Sequence, residues 1–448
     1  MALPPPVSRL EGALFADAEI AAIFADEARI VRMLAVEAAL ARAQACRGLI
    51  PAEAVASIAR AASTPPRPED LAEGTVAAGV PVPALVAKAR AAAGPAGAWL
   101  HRGATSQDIL DTALTLGLRH ALGRLLARLD ALVRALVAVA VRDAETPMAG
   151  RTRTQIATPT TFGLRVSAWL GPLLRHRQRL AELAPRVLVV QLGGASGNQS
   201  ALGPEAPELA ADLARELGLF APPKPWCSER DGLAETGAWC SLVAGACGKI
   251  GADLALAARS EIAEIRAGTG GGSSTMPQKA NPVLAETLVT LARKTAGDLG
   301  TLHLALVHAE ERDTTAWALE WLILPGMLAA TGAALSHATA LVETLEPDRE
   351  RMRATLDATG GAVLAEGFAF ALAEHMPLPE AQALVKQALG LGGPLAERLA
   401  ALTDVPLDWA ALSAYEAHTG SAARLVAATV AAAEDALVAP VPGLASPA

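Results

Sequence analysis

The chain has 448 residues, 52% apolar and 19% charged, a balance that excludes a disordered polymer and supplies material for a large core. Aromatic residues make up only 3%, so the core must come from Ala, Leu and Val, and the abundance of the first two favours helices over sheets. Lys plus Arg total 38 against 46 Asp plus Glu, a net charge of −8 that argues against a nucleic-acid coat but leaves room for a locally basic pocket holding a small anion.

The opening MALPPPVSRL has neither a basic n-region nor an apolar run, so no secretory signal is expected. A helical pattern runs from about Ala18 to Arg47, with Ile30, Met33, Leu34, Val36 and Leu40 on its apolar face and Gly48 and Pro51 as its stop. Pro65, Pro66, Pro68, Pro81 and Pro83 break up the stretch that follows. From about Gln107 to Glu145 there is no proline, and Leu114, Leu118, Leu122, Leu125, Leu129, Leu132, Leu136 and Val139 recur every three or four residues. This predicts one helix of roughly 39 residues, about 58 Å long, which demands an elongated bundle. Its segment Leu129–Val141 is the most apolar stretch, yet Asp130, Arg134 and Arg142 leave it too short and too charged to span a bilayer.

A second long helix is expected from Thr158-Pro159, read as N-cap and first-turn proline, to about Leu183, with a kink at Pro172. A third is expected from Ser228, with Asp231 as a capping-box-like partner, to about Arg266. A fourth starts at Asn281-Pro282 and a fifth covers roughly Thr314 to Leu345. Glu346-Pro347-Asp348 marks a boundary to shorter helices. The fold class is all-α, with five long helices forming a bundle and the chain divided at 1–104, 105–346 and 347–448. Ala-rich helix faces allow close approach of helices from a second copy, so a homo-oligomer is expected.

The sharpest local feature is the segment from Gly268 to Pro282, which contains GTGGGSSTMPQKANP between two long helices. A simple connection needs about three to five residues, and this one uses far more. Its glycines can present several backbone N–H groups to an anion. It is not a phosphate loop, because no Gly precedes Lys279 and Ala280 follows it, and no strand precedes it as a dinucleotide fingerprint requires.

The string GSSTMPQKANP resembles the signature of the fumarase/aspartase superfamily, S-S-x-M-P-x-K-x-N. HRGATSQD (His101 to Asp108) resembles that family's first characteristic region, and RTRTQIATPTTFG (Arg151 to Gly163) its second. The helix MLAVEAALARAQACRGLIP and the stretch EERDTTAWALEW look most like one branch, the bacterial 3-carboxy-cis,cis-muconate cycloisomerases. The resemblance spans about residues 15 to 430. It implies three helical domains, the central five-helix bundle joining three other copies in a twenty-helix core of a homotetramer, with each active site shared between subunits.

By the same resemblance Ser273 is the proton-transferring serine. A free hydroxyl is too weak for that task, and the glycine-rich backbone with Lys279 would stabilise its alkoxide. Lys279 and Asn281 are implied to hold a substrate carboxylate and its developing enolate-like charge. Thr105, Ser106, Gln155 and Ser274 are implied substrate contacts, Glu286 a carboxylate near the lysine, and Arg312 a residue approaching the same pocket.

One departure narrows the chemistry. Where many lyases of the superfamily read Arg-Thr-His, with the histidine as general acid, this chain has Arg153. An arginine does not trade protons near neutral pH but clamps a carboxylate bidentately. That favours lactonisation, in which a carboxylate of the substrate itself is the nucleophile and no leaving group needs an acid. The expected function is cycloisomerisation of 3-carboxy-cis,cis-muconate to 4-carboxymuconolactone in protocatechuate breakdown by the beta-ketoadipate pathway. The alternatives are another lyase of the superfamily, adenylosuccinate lyase first, or a sulfomuconate cycloisomerase; a non-catalytic scaffold would not need Ser273, Lys279 and Asn281 together.

The expected partner is a small polycarboxylate, with no nucleic acid and no membrane. No cofactor and no metal are implied. His303 and His308 are five apart rather than four, and Cys46, Cys227, Cys240 and Cys247 lack a paired metal spacing. So few cysteines fit a reducing cytoplasm. His120 and His176 read as surface or packing residues, His101 lies close enough to the first region to reach the site, and Trp317 and Trp321 read equally as core stripe or pocket wall. The glycine-rich QLGGASGNQSALG (residues 191–203), with Gly193, Gly194, Gly197 and Gly203, reads as a tight connection near the site, and equally as a direct substrate contact.

Overall fold

The computed structural model describes residues 10–266, 271–272, 275–276 and 279–444. The predicted first helix is two: Asp17 caps a short one by accepting the Ile20 N–H at 2.9 Å, and the chain turns at Phe24 before α1 (Asp26–Cys46). The five long helices follow as α2 (Ser106–Arg142), α3 (Phe162–Val187), α4 (Asp231–Ala257), α5 (Val283–Leu304) and α6 (Thr314–Glu343). In α2 the leucine stripe does what its spacing demands: Leu118, Leu122, Leu125, Leu129, Leu132 and Leu136 are all fully buried.

The residues before α3 depart from the reading. Pro147–Thr152 (β1) and Gln155–Thr161 (β2) form an antiparallel hairpin, pairing Arg151 with Ile156 and Thr152 with Gln155. Arg153 and Thr154 both lie in the left-handed region, φ 50° and 67°, the backbone of a two-residue hairpin turn. Gly150 sits where the register shifts, and a Cβ there would lie 2.6 Å from the Thr158 carbonyl oxygen. Pro159 is therefore a strand residue opposite Ala149, and the true cap of α3 is Thr161, which accepts the Leu164 N–H at 3.2 Å. Helix α3 continues through Pro172 and Pro185.

Helix α4 also differs. Its N-cap is Arg230, a donor-only side chain that cannot accept the first-turn N–H groups and binds Asp111 and Glu320 instead; Ser228 and Asp231 form no capping box. It ends at Ala257, and Ile265–Arg266 (β3) pairs instead with Glu346–Pro347 (β4).

One continuous apolar core joins the N-terminal helices to the long bundle, from Ile20 and Leu40 through Leu125, Leu170, Ile250 and Leu328. A second, smaller core gathers Leu356, Phe368, Leu372, Val385, Leu399 and Tyr415 beyond the bundle. The helix α7 (Ala422–Val438) leaves that unit and packs back on α3 and α2. The most apolar long helices are α4 and α6 rather than the Leu129–Val141 stretch, and by length and composition alone both are able to cross a membrane. Their packing gives them another use. They lie side by side with α5, and α6 carries Glu320 in a buried ion cluster.

Candidate active site

The first characteristic region forms the start of α2. Thr105 is its N-cap in a capping box with Asp108, whose Oδ2 accepts the Thr105 N–H at 2.9 Å. The Asp108 carboxylate also accepts the Gly193 N–H at 2.6 Å and the Gly194 N–H at 3.0 Å. It thereby docks the QLGGASG turn on the helix N-terminus, as the turn's reading as a tight connection requires. Glycine is needed there: Gly194 has φ +68°, and a Cβ on Gly193 would sit about 3 Å from Pro225 and the Cys227 sulfur. Burial outweighs the three N–H groups and pushes the Asp108 carboxyl up to about 6. Thr105 and Ser106 remain half-buried at the mouth of this arrangement.

Arg312 joins them from the segment before α6. Its Nε donates to Gln107 Oε1 at 2.9 Å and its Nη2 to the Ala195 carbonyl at 3.1 Å. Behind Gln107 lies an ion cluster. Arg230 donates to both oxygens of Asp111 (2.7 and 3.1 Å) and both of Glu320 (2.7 and 2.5 Å), all three side chains being 1% exposed. Trp317 Nε1–H donates to Asp111 Oδ1 at 3.0 Å and packs edge-on against Trp321, so Trp317 is core and Trp321 its partly exposed neighbour. His101 pairs with buried Glu37 at 2.6 Å. His308 packs its buried side chain 3.7 Å from Glu320. Among the described residues no group of three or more His, Cys, Asp or Glu is arranged to hold a metal ion.

The other two regions sit at the far end of α2. Arg153 and Gln155 are exposed at the hairpin tip. Arg151 below them grips Glu264, at 2.8 and 2.7 Å, in the stem leading to the glycine-rich segment. Of that segment, Gly271–Gly272 pairs with Ala280–Asn281, and the Lys279 N–H donates to the Met276 carbonyl at 3.0 Å. Lys279 and Glu286 are exposed and Asn281 half-buried. Ser273 and Ser274 lie outside the described residues. The 37 residues of α2, roughly 55 Å at 1.5 Å each, separate Thr105, Ser106 and Arg312 from Arg153, Gln155, Lys279, Asn281 and Glu286 within one chain.

Asp108 closes the first motif region, but Gln107, Asp111, Arg230 and Glu320 were not singled out in the sequence. The available signal was the polar residues at 107, 108 and 111 at the start of a helix that becomes mostly apolar further on. His176, Cys240 and Cys247 are buried in the helical core. Burial with Arg179 and Arg175 nearby pushes His176 down to about 4, and burial pushes the Cys240 and Cys247 thiols up to about 12.

A helical bundle with these three motif regions defines a lyase scaffold. Residues 15–297 match the lyase family, and the chain belongs to that family, the fumarase/aspartase superfamily. It is 45% identical over 390 residues, 85% of each chain, to a 3-carboxy-cis,cis-muconate cycloisomerase of Pseudomonas aeruginosa. It is 41% identical over 389 residues to a 3-carboxy-cis,cis-muconate cycloisomerase of Pseudomonas putida, covering 85% of this chain and 92% of that one. The crystal structure of the 3-carboxy-cis,cis-muconate lactonizing enzyme from Pseudomonas putida matches with a TM-score of 0.89 at 37% identity, covering 96% of this chain and 100% of that one.

Proposed function

We propose that this protein is a cycloisomerase that converts 3-carboxy-cis,cis-muconate to 4-carboxymuconolactone, serving aromatic-acid breakdown. The observation that carries this reading is the 45% identity over 85% of both chains to a cycloisomerase of that name. The chain's own chemistry agrees with it. The second region offers Arg153 where an elimination would use a histidine acid, and Arg153, Arg312 and Lys279 supply three cations for a tricarboxylate.

In the reaction a substrate carboxylate oxygen forms a C–O bond to one alkene carbon. The π electrons move toward the carbon beside a second carboxylate, and a proton is delivered to that carbon. The reaction is an isomerisation with no leaving group. Ser273 carries the proton, with Lys279 stabilising its alkoxide. Lys279 and Asn281 hold the carboxylate on which charge develops. Thr105, Ser106, Arg153, Gln155, Ser274 and Arg312 bind the remaining carboxylates, and Glu286 orients the lysine.

The active site is assembled from several copies of the chain in a homotetramer. Two observations support this. The candidate residues are split across the length of α2, and the apolar helices α4 and α6 leave Leu242, Leu256 and Leu322 47%, 53% and 61% exposed in a single chain. Within the chain, the units 1–104, 105–346 and 347–448 act as an N-terminal lobe, a bundle and a C-terminal lobe. The free thiols of Cys46, Cys227, Cys240 and Cys247 fit a cytoplasmic setting.

The test is spectrophotometric. Loss of the conjugated-diene absorbance of 3-carboxymuconate is expected, with no cleavage of adenylosuccinate; the reverse pattern overturns the reading. Light scattering at micromolar concentration is expected to give four times the chain mass, and a monomer would remove the shared site.

A further inference from the structure

We infer that Gln107 is a positioning residue that holds Arg312 away from the buried carboxylate of Asp111 and so keeps its charge available for substrate. The inference rests on the reading of Arg312 as a substrate-binding group.

The amide of Gln107 is fully buried and its orientation is forced. Its Nε2 donates to Asp111 Oδ2 at 3.1 Å and to the Cys227 carbonyl at 2.7 Å, both pure acceptors. Its Oε1 faces the Arg312 Nε–H at 2.9 Å, a pure donor. A flipped amide would set oxygen against carboxylate and NH2 against guanidinium, losing every bond. Gln107 is thus a neutral adapter between a buried anion and a half-buried cation. Without it, a guanidinium this close to a desolvated carboxylate would bind it directly, since charge-assisted pairs are the strongest hydrogen bonds available.

The geometry also shows what the adapter leaves free. Nε of Arg312 is held by Gln107 and Nη2 by the Ala195 carbonyl, while no acceptor among the described residues meets Nη1. Asp111 does not depend on Gln107 for satisfaction, because Arg230 donates to both its oxygens and Trp317 to Oδ1. The Cys227 carbonyl likewise keeps Arg230 Nη1 at 3.3 Å. Replacing Gln107 with an apolar side chain of similar length therefore leaves no buried acceptor without a donor, and the fold should hold.

The experiment uses Gln107→Met, Gln107→Glu, Arg312→Ala and the Gln107→Met/Arg312→Ala double variant, each checked for an unchanged melting profile. The expected result is a KM for 3-carboxymuconate raised about tenfold in Gln107→Met, the loss of one charge-assisted contact, with kcat changed much less. Gln107→Glu, which pairs Arg312 with a new carboxylate, is expected to raise KM at least as far. The double variant should be no worse than Arg312→Ala alone, because Gln107 acts only through Arg312. Effects that multiply, or an unchanged KM in either Gln107 variant, overturn the inference. A crystal structure of Gln107→Met decides independently of turnover: Arg312 shifted onto Asp111 or off Ala195 supports the inference, and Arg312 unmoved refutes it. A wild-type protein inactive on 3-carboxymuconate would defeat the proposed reaction while leaving this structural arm decisive.

Discussion

Arg151 and Glu264 face each other as a two-pronged pair, Nη1 to Oε2 at 2.8 Å and Nη2 to Oε1 at 2.7 Å, with the carboxylate wholly buried and the arginine 21% exposed. The pair ties the hairpin that carries Arg153 and Gln155 to the stem of the segment that carries Lys279 and Asn281. The two partners differ in what their loss leaves behind. Arg151→Met strands a buried carboxylate and is expected to cost about 3–5 kcal/mol. Glu264→Gln leaves an arginine that reaches water and is expected to cost roughly half as much, since its exposure screens the loss. The Arg151→Met/Glu264→Met double variant should regain part of the stability. Denaturant unfolding checks the order, and equal losses in the two single variants would contradict it.

The Arg230 cluster gives a sharper contrast with the surface. Arg230→Met leaves Asp111 and Glu320 facing each other without their shared cation, and both are 1% exposed. A loss of at least about 3–5 kcal/mol is expected, a large fraction of the roughly 5–15 kcal/mol that holds a typical folded chain together. Arg42→Met, which breaks a bridge to Glu216 whose side chains are 40% and 39% exposed, should change stability by less than about 1 kcal/mol. Soluble yield and urea midpoints measure both, and a similar effect in the two variants would refute the difference.

The long helices were legible because a leucine stripe such as Leu118 to Leu136 is a local, periodic signal. The hairpin was not, because Thr158-Pro159 imitates a helix start, and only the pairing of Pro159 with Ala149 and of Thr160 with Met148 across the turn decides otherwise. The extent of α4 was overestimated for a similar reason: Ile265 leaves the helical pattern to pair with Pro347, which lies far along the chain. The ion cluster was invisible for a stronger reason. Arg230 meets partners 119 and 90 residues away, and no window along the chain can join them. The motif regions were readable one by one through resemblance, while their separation by α2 is a property of the folded chain alone.

Ser273→Ala is expected to leave the melting temperature within about a degree and to reduce turnover by at least 10²-fold, the lower range for losing a positioned proton carrier. The assay is diene absorbance under saturating substrate. Near-normal rates would remove the serine from the proton-transfer role.

Arg153→His restores the residue type of the eliminating lyases at an exposed hairpin tip. Since imidazole makes no bidentate contact, KM for the tricarboxylate should rise roughly tenfold, with a smaller effect on kcat. An unchanged KM would take the clamp out of the mechanism. Newly acquired cleavage of a succinyl adduct would show that this one position decides between lactonisation and elimination.

Asp108 makes the pH behaviour of the α2 N-terminus testable, and the sign follows from its environment. Its carboxyl lies at about 6 in the folded chain against an ordinary 3.8, mainly because burial penalises the charge. Between those values the folded chain holds the proton more tightly than the unfolded one, so this group's contribution to stability is full below pH 4 and is lost as pH rises through 6. Asp108→Asn carries no such titration. Whatever the amide costs by turning an NH2 toward the N–H groups of Thr105, Gly193 and Gly194, that cost is nearly constant with pH. Wild type should therefore lose ground to the variant by up to on the order of 3 kcal/mol between pH 4 and pH 7. Guanidinium unfolding of both proteins at pH 4.5, 5.5 and 7 measures the difference. If wild type instead gains on the variant as pH rises, the three N–H donors and the helix N-terminus outweigh burial, and Asp108 holds the glycine turn as a fully ionised anchor.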